Sequence, residues 1–368
     1  MKRHWTLIGV GALSAVLAVA AVACGGDSGG ATAPQAENTP SVAAAGPTTF
    51  DVQMNSGKGP VEVVAFMPQD VTVREGDTVR WTVPDGQLAA GGTVTFLGGE
   101  PLPAIPAVID GVFQFNPAIV APAGDPSAFD GSSLLSSGMI FPADTFAVVF
   151  GPDAQPVPAT FETTFTRAGT YRYVSLFFPE RVNGTVTVVA AGTEVPAQSA
   201  IDAQRDQLLR AYLAEGEAAR ANLATTSTEN PDGTRTWAVP MGASTPHTEV
   251  WAFAEQRLEI GVGDTVRWTN DGQWLHTATF ASGETLPPYL QITPQPGGPG
   301  IVAFNMRQFT AFPASQPVPR YDGTGFVNSG PVGPASQWSL TFTAAGEFPY
   351  FCAIHRDFGQ VGSISVTE

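Results

Sequence analysis

The chain has 368 residues, with 17 Lys and Arg against 33 Asp and Glu, a formal charge of −16; a surface of that sign repels phosphate backbones and excludes nucleic acid as a partner. Hydrophobic residues make up 43% and charged residues only 14%, which excludes a disordered polyampholyte and suits two domains or one large one. The 40 glycines and 32 prolines point to short strands and many turns, an all-β composition, while two cysteines, Cys24 and Cys352, and four histidines exclude a disulfide framework and any large histidine cluster.

In chain order, Lys2 and Arg3 precede an apolar or small run from Leu7 to Ala23 that ends at Ala21-Val22-Ala23-Cys24. This layout predicts a secretory signal peptide over 1–23, with an uncleaved anchor as the rival reading. The last four residues resemble a bacterial lipobox, which implies a lipidated Cys24 and an exported, extracytoplasmic or periplasmic, membrane-anchored lipoprotein. From Cys24 to Pro47 the chain is rich in Gly, Ala, Ser, Pro and Thr without apolar periodicity, and 24–47 is expected to be a flexible tether.

An internal repeat follows. VVAF at Val63–Phe66 and GDTVRWT at Gly76–Thr82 recur as VWAF at Val250–Phe253 and GDTVRWT at Gly263–Thr269, a constant offset of 187 residues. FDGSSLLSSG from Phe129 matches YDGTGFVNSG from Tyr321, and FTRAGTYRY from Phe165 matches FTAAGEFPY from Phe342. Three matches in one order imply duplication into two domains, 48–190 and 234–368, since solenoid units are far shorter. Alternating stretches such as Thr78–Thr82 and Gly184–Val188 read as half-buried antiparallel strands, so two β-sandwiches are expected. Within the linker 191–233, a helix is predicted at about 199–223, with Ser199 and Asp202 as a capping box and an apolar seam of Ile201, Leu208, Tyr212, Ala219 and Leu223.

Only the second copy carries a chemical constellation: His276 in QWLHTATF, then Cys352 and His355 in YFCAIHRDFGQVG, with Gln360 eight residues after the cysteine. A thiolate and two imidazoles make a soft trigonal site that suits copper in both oxidation states, with a weak axial donor such as Met or Gln. Phe348, Tyr350 and Cys352 alternate on one face of the approach strand, and a turn at Ala353-Ile354 can swing His355 back toward the same ion. A lone Cys or His is ordinarily a packed or exposed residue; this spacing reverses that expectation. His247 has no matched partner and reads as exposed.

These residues resemble the cupredoxins, most closely the plastocyanin and pseudoazurin group, whose last loop has the form Cys-x2-His-x4-Met. Gln360 stands where Met would be. The resemblance implies two tandem cupredoxin-like Greek-key β-sandwiches joined by an amphipathic helical linker. It also implies one type 1 copper held equatorially by His276, Cys352 and His355 and axially by Gln360, with the Thr277 backbone as a supporting tie. In the first copy Gly92 falls opposite His276, Ser175 opposite Cys352 and Phe178 opposite His355, so no ligand survives there, and Phe177 and Phe178 are expected to fill the vacated space. The long segment Ala281 to Gln337 is expected to have structure of its own and to shape the surface around the metal.

The function these features imply is a membrane-anchored blue copper protein that carries single electrons, through the edge of His355, to a redox protein such as a cytochrome, oxidase or reductase. Copper storage or delivery uses the same ligands and is an alternative, as is a subunit or relative of a copper oxidase or reductase lacking its own catalytic centre. A self-contained multicopper oxidase needs more than four histidines and His-x-His pairs, which the chain lacks. A zinc hydrolase or a Cys-His nucleophile lacks a carboxylate base at a recognisable spacing. The chain is therefore read as a carrier, not an enzyme.

Overall fold

The structure, a computed structural model, describes residues 40–42, 46–86, 89–151, 154–295, 298–313 and 318–368. The signal peptide and Cys24 lie outside them. No helix among the described residues is long and apolar enough to cross a membrane.

The chain is all-β in class, and four of its sheets form two pairs whose rows match except at one edge, where Thr226–Glu229 takes the place of Val61–Met67. In the first pair, one sheet places Thr160–Thr164, Thr78–Thr82, Thr49–Lys58 and Val61–Met67 side by side, and the other places Asp70–Arg74, Asn183–Val189, Gly169–Val174, Thr95–Phe96 and Leu135–Ser136. In the second pair the corresponding rows are Ser336–Phe342, Thr265–Asn270, Arg235–Pro240 and Thr226–Glu229, facing Arg257–Gly261, Val361–Thr367, Gly346–Phe351, Thr279–Phe280 and Val327–Asn328. Alternation explains the cores: in Thr78–Thr82 the valine and tryptophan are buried while Arg80 faces solvent, and Asn183–Val189 is buried at every second residue.

Each pair closes over its own aromatic centre, and the centres superimpose in kind. Trp81 meets Phe96 at 5.9 Å and 70° and Tyr173 at 5.2 Å. Trp268 meets Phe280 at 5.8 Å and 71° and Tyr350 at 5.3 Å. Such edge-to-face contacts add to the area these rings bury.

The two copies are not strung like beads. Thr248–Val250, from the second copy, pairs antiparallel with Val61–Val63 and extends the first copy's sheet, with Glu249 directly opposite Glu62. A further four-stranded sheet joins the hairpin Pro106–Ile109 and Val112–Phe115 to the hairpin Leu290–Gln295 and Gly298–Phe304 through Ala303 opposite Gln114. Part of the long segment 281–337 thus folds, as expected, into structure of its own, completed by the other copy.

The helix spans Gln198–Ala221 and packs Leu208, Leu209, Tyr212 and Leu213 on Val63, Ala65 and Met67. Its seam is close to the predicted one, but the capping box does not form. Ala197 is the N-cap, without a side-chain bond, and Asp202 lies within the helix, bonded by Gln198 Nε2 and Arg205. The cause is upstream: Val195–Pro196 pairs with Ser41–Val42, and Ala197 N–H donates to Pro40 O, so the chain is fixed up to the start of the helix. The same pairing pins the far end of the segment read as a tether. His247 is not simply exposed either: its ring stacks on Tyr212 at 3.9 Å and its Nδ1 lies 3.1 Å from Glu215 Oε2.

Candidate metal centre

His276 lies on the loop after Thr265–Asn270, and Asn270 shapes that loop. The Asn270 amide donates to Trp274 O and Val332 O and its Oδ1 accepts from Gly272 N–H, while His276 and Val332 exchange both backbone hydrogen bonds. The segment Met241-Gly242 passes beside the ring. Gly242 has φ 134°, and a Cβ there would meet Val250 O at 2.5 Å and the His276 ring at 3.4 Å, so the close approach requires glycine.

Cys352 follows Gly346–Phe351, on whose inward face Phe348 and Tyr350 are buried. The chain then turns. Cys352 N–H donates to Gln360 O, Gln360 N–H donates to His355 O, and Gly359 closes the turn at φ 97°. His355 is thereby carried back over the cysteine.

Ligand atoms of His276, Cys352 and His355 lie within 4.8 Å of one another. Cys352 Sγ is 3.5 Å from His355 Nδ1, and Gln360 Oε1 is 2.9 Å from His276 Nδ1 and 3.1 Å from His355 Nδ1. All four side chains are buried, none more than 4% exposed. The Gln360 amide is oriented by donation to Met241 O. Thr277 N–H donates to Cys352 Sγ over 3.3 Å, and Thr277 Oγ1 accepts from Ala353 N–H. The four positions singled out in the sequence thus converge, together with the Thr277 tie.

Burial sets the protonation states. It pushes His276 down to about 4, against the opposing hydrogen bond to Gln360 Oε1, and lowers His355 with help from its neighbour His276. Both imidazoles are therefore neutral near pH 7. Burial raises the Cys352 thiol despite backbone N–H bonds from Thr277, Ile354 and His355. Neutral imidazoles, a thiol that yields its proton only to a strong competitor and one aimed amide oxygen form a donor set that fits copper.

The edge of His355 is not at the surface. Trp251 lies flat against the imidazole, with ring centroids 3.9 Å apart and planes 18° from parallel, and is itself 4% exposed. With one face under Trp251 and only 4% of the residue exposed, His355 does not present the open imidazole edge that was expected. Trp251 Nε1 donates to Glu62 Oε2 at 2.8 Å, and Glu62 Oε1 accepts from Ala90 N–H. Neither Trp251 nor Glu62 was singled out in the sequence. The signal was the one change within the repeated tetrapeptide, Val64 in the first copy against Trp251 in the second.

The first copy retains the supporting bonds but not the donors. Thr93 N–H lies 3.4 Å from Ser175 Oγ, and Leu176 N–H donates to Thr93 Oγ1, repeating the ties of Thr277. A Cβ on Gly92 would run into the Met54 methyl and lie 2.9 Å from Ser175 Oγ, so Met54 fills the place of a histidine ring. Phe178 packs against the first copy's core and also meets Trp274 of the second copy at 4.6 Å.

No protein-family model matches the sequence, and no curated protein matches it. Among solved structures the chain is similar to amicyanin. A methionine-to-glutamine mutant in the Cu(I) state is 21% identical over 40% of this chain and 90% of that one, with a TM-score of 0.22. A proline-to-alanine mutant in the oxidized state is 19% identical over 39% and 98%, with a TM-score of 0.22.

Proposed function

We propose that this chain is a cupredoxin-like blue copper protein that carries single electrons, with one copper per chain in the second of two duplicated domains, 48–190 and 234–368. The observation that carries the reading is the convergence of His276 Nδ1, His355 Nδ1, Cys352 Sγ and Gln360 Oε1 on one buried point. A bound copper supplies a one-electron couple. The protein's part is to hold three donors and the axial amide in place through the Thr277, Met241 and Asn270 bonds, so that little moves when the charge changes. Trp251, stacked on His355, is the group through which an electron reaches the site. The redox partner in this reading is a protein such as a cytochrome, oxidase or reductase, and the anchor is a lipid on Cys24 that keeps the exported chain at the membrane.

Copper delivery needs a metal that leaves readily, and four donors at 4% exposure or less stand against it. The test is titration of the metal-free full chain with Cu(II). The expected result is an intense blue colour that saturates at one copper per chain and is bleached by ascorbate. A colourless product, or a second tight copper, overturns the reading.

A further inference from the structure

A cavity of about 220 Å³ lies against the far side of the site. It reaches the surface at Pro106 and Leu275, both exposed, and its inner end is formed by Glu62, Trp251 and His355. Both copies build it: Phe115 and Phe177 come from the first, Trp274 and Phe304 from the second. Apart from Glu62, His355 and the Tyr289 phenol the lining is largely apolar, and it is dominated by aromatic faces and edges.

Three features narrow what such a space accepts. Its size suits a compound of one or two rings, since an apolar cavity of about 150 Å³ already takes up benzene. Its aromatic walls favour a flat ring in offset or edge contact. Its one buried carboxyl, Glu62, 2% exposed, accepts N–H bonds from Ala90 and Trp251 and has no cationic side chain bonded to it among the described residues. The neighbouring carboxylate across the strand pair, Glu249, is paired with Arg181 and Ser244. An unpaired buried charge is costly, so Glu62 is held neutral at ordinary pH, consistent with burial pushing it up to about 8. A neutral carboxyl whose two oxygens already accept N–H bonds has one O–H left to donate. An anionic ligand meets no positive group there, and a cationic one meets no ionised partner.

We propose that this cavity binds a small uncharged aromatic molecule carrying one hydroxyl or carbonyl oxygen, its ring against Trp251 and its oxygen toward Glu62. The site is independent of the copper reading in its construction; its consequence rests on that reading, because the ligand touches the indole that is stacked on His355. Occupancy would place a small molecule, rather than a protein, at the inner end of the route to the metal.

Calorimetric titration of the full chain with 2-naphthol near neutral pH tests this, run on metal-free and on copper-loaded protein. Saturable one-to-one binding is expected in both. Filling the space with Ile105→Trp, or narrowing its mouth with Leu275→Trp should the first variant fail to fold by circular dichroism, weakens binding about tenfold or more. Glu62→Met, similar in length but without a donor, weakens it roughly fivefold through one lost hydrogen bond. Absence of saturable binding, or affinity unchanged in the filling variants, overturns the proposal. Tighter binding of benzylamine than of 2-naphthol overturns the ligand class. A blue protein that does not bind 2-naphthol rejects the cavity alone, and a colourless protein that does bind it rejects the metal reading alone.

Discussion

Cys352 sits where the first copy already shows what a hydroxyl does in the same surroundings: Ser175 Oγ lies beside Thr93 N–H as Cys352 Sγ lies beside Thr277 N–H. Cys352→Ser is therefore expected to fold, with an unchanged circular dichroism spectrum, yet to give no blue colour with Cu(II), because the absorption needs a thiolate. Gln360 has two tasks. Its Oε1 faces both imidazoles, and its amide N–H caps Met241 O. An amide oxygen favours Cu(II) more than a thioether does, so Gln360→Met is expected to raise the reduction potential in voltammetry while lowering stability by about 1–3 kcal/mol through the uncapped carbonyl. An unmoved or lowered potential would remove Gln360 from the axial role. Glu62 gives a signature in pH. Unfolded, it ionises near 4.5; folded, burial raises it to about 8. Between those values the native chain keeps a proton that the unfolded chain has lost, so this contribution to stability falls as pH rises through the interval and is level above it, by roughly a few kcal/mol in all. Urea unfolding across that range should show the slope in the wild type and its absence in Glu62→Gln.

At the scale of elements, the helix Gln198–Ala221 is held by one narrow seam and by one small residue. Gly216 is buried, and a Cβ on it would run into Val61 and lie 3.0 Å from Thr248 Oγ1, where the first copy's sheet takes in the second copy's strand. Gly216→Ala is expected to cost about 1–3 kcal/mol in denaturant unfolding, although alanine is the better helix former; a gain in stability would mean that the helix does not press on that junction. What the sequence made legible here follows from the range of each signal. Strand alternation, the repeat and the Cys352, His355 and Gln360 spacing are local or periodic, and they were readable. The seam was readable to within one turn. The capping box failed because Ser199 and Asp202 satisfied a local pattern while pairing of Val195 with Val42 decided where the helix starts. Trp251 against His355, about a hundred residues apart, and Glu62 against Trp251, nearly two hundred apart, depend on long-range register, which no spacing rule encodes.

On the scale of the whole molecule, the copies share a sheet, a four-stranded crossing and a cavity, so the described chain is built to melt as a unit. A single cooperative transition is expected by calorimetry, with metal raising its midpoint by mass action although only one copy holds donors. Two separated transitions, with only the later one responding to copper, would show that the shared strands contribute little.

The strand shared between copies also bears on how the chain is made. In Val61–Met67 the edge of Val61–Val63 is covered only when Thr248–Val250 arrives. Synthesis at about 5–20 residues per second puts a delay of roughly ten to forty seconds between the two. Through that interval a nascent chain presents a bare, strongly apolar strand edge, the template that invites wrong pairing. A neighbouring chain that offers its own Thr248–Val250 in trans is the competitor with the matching sequence, and swapped dimers joined at this strand are the misassembly that slow elongation would favour.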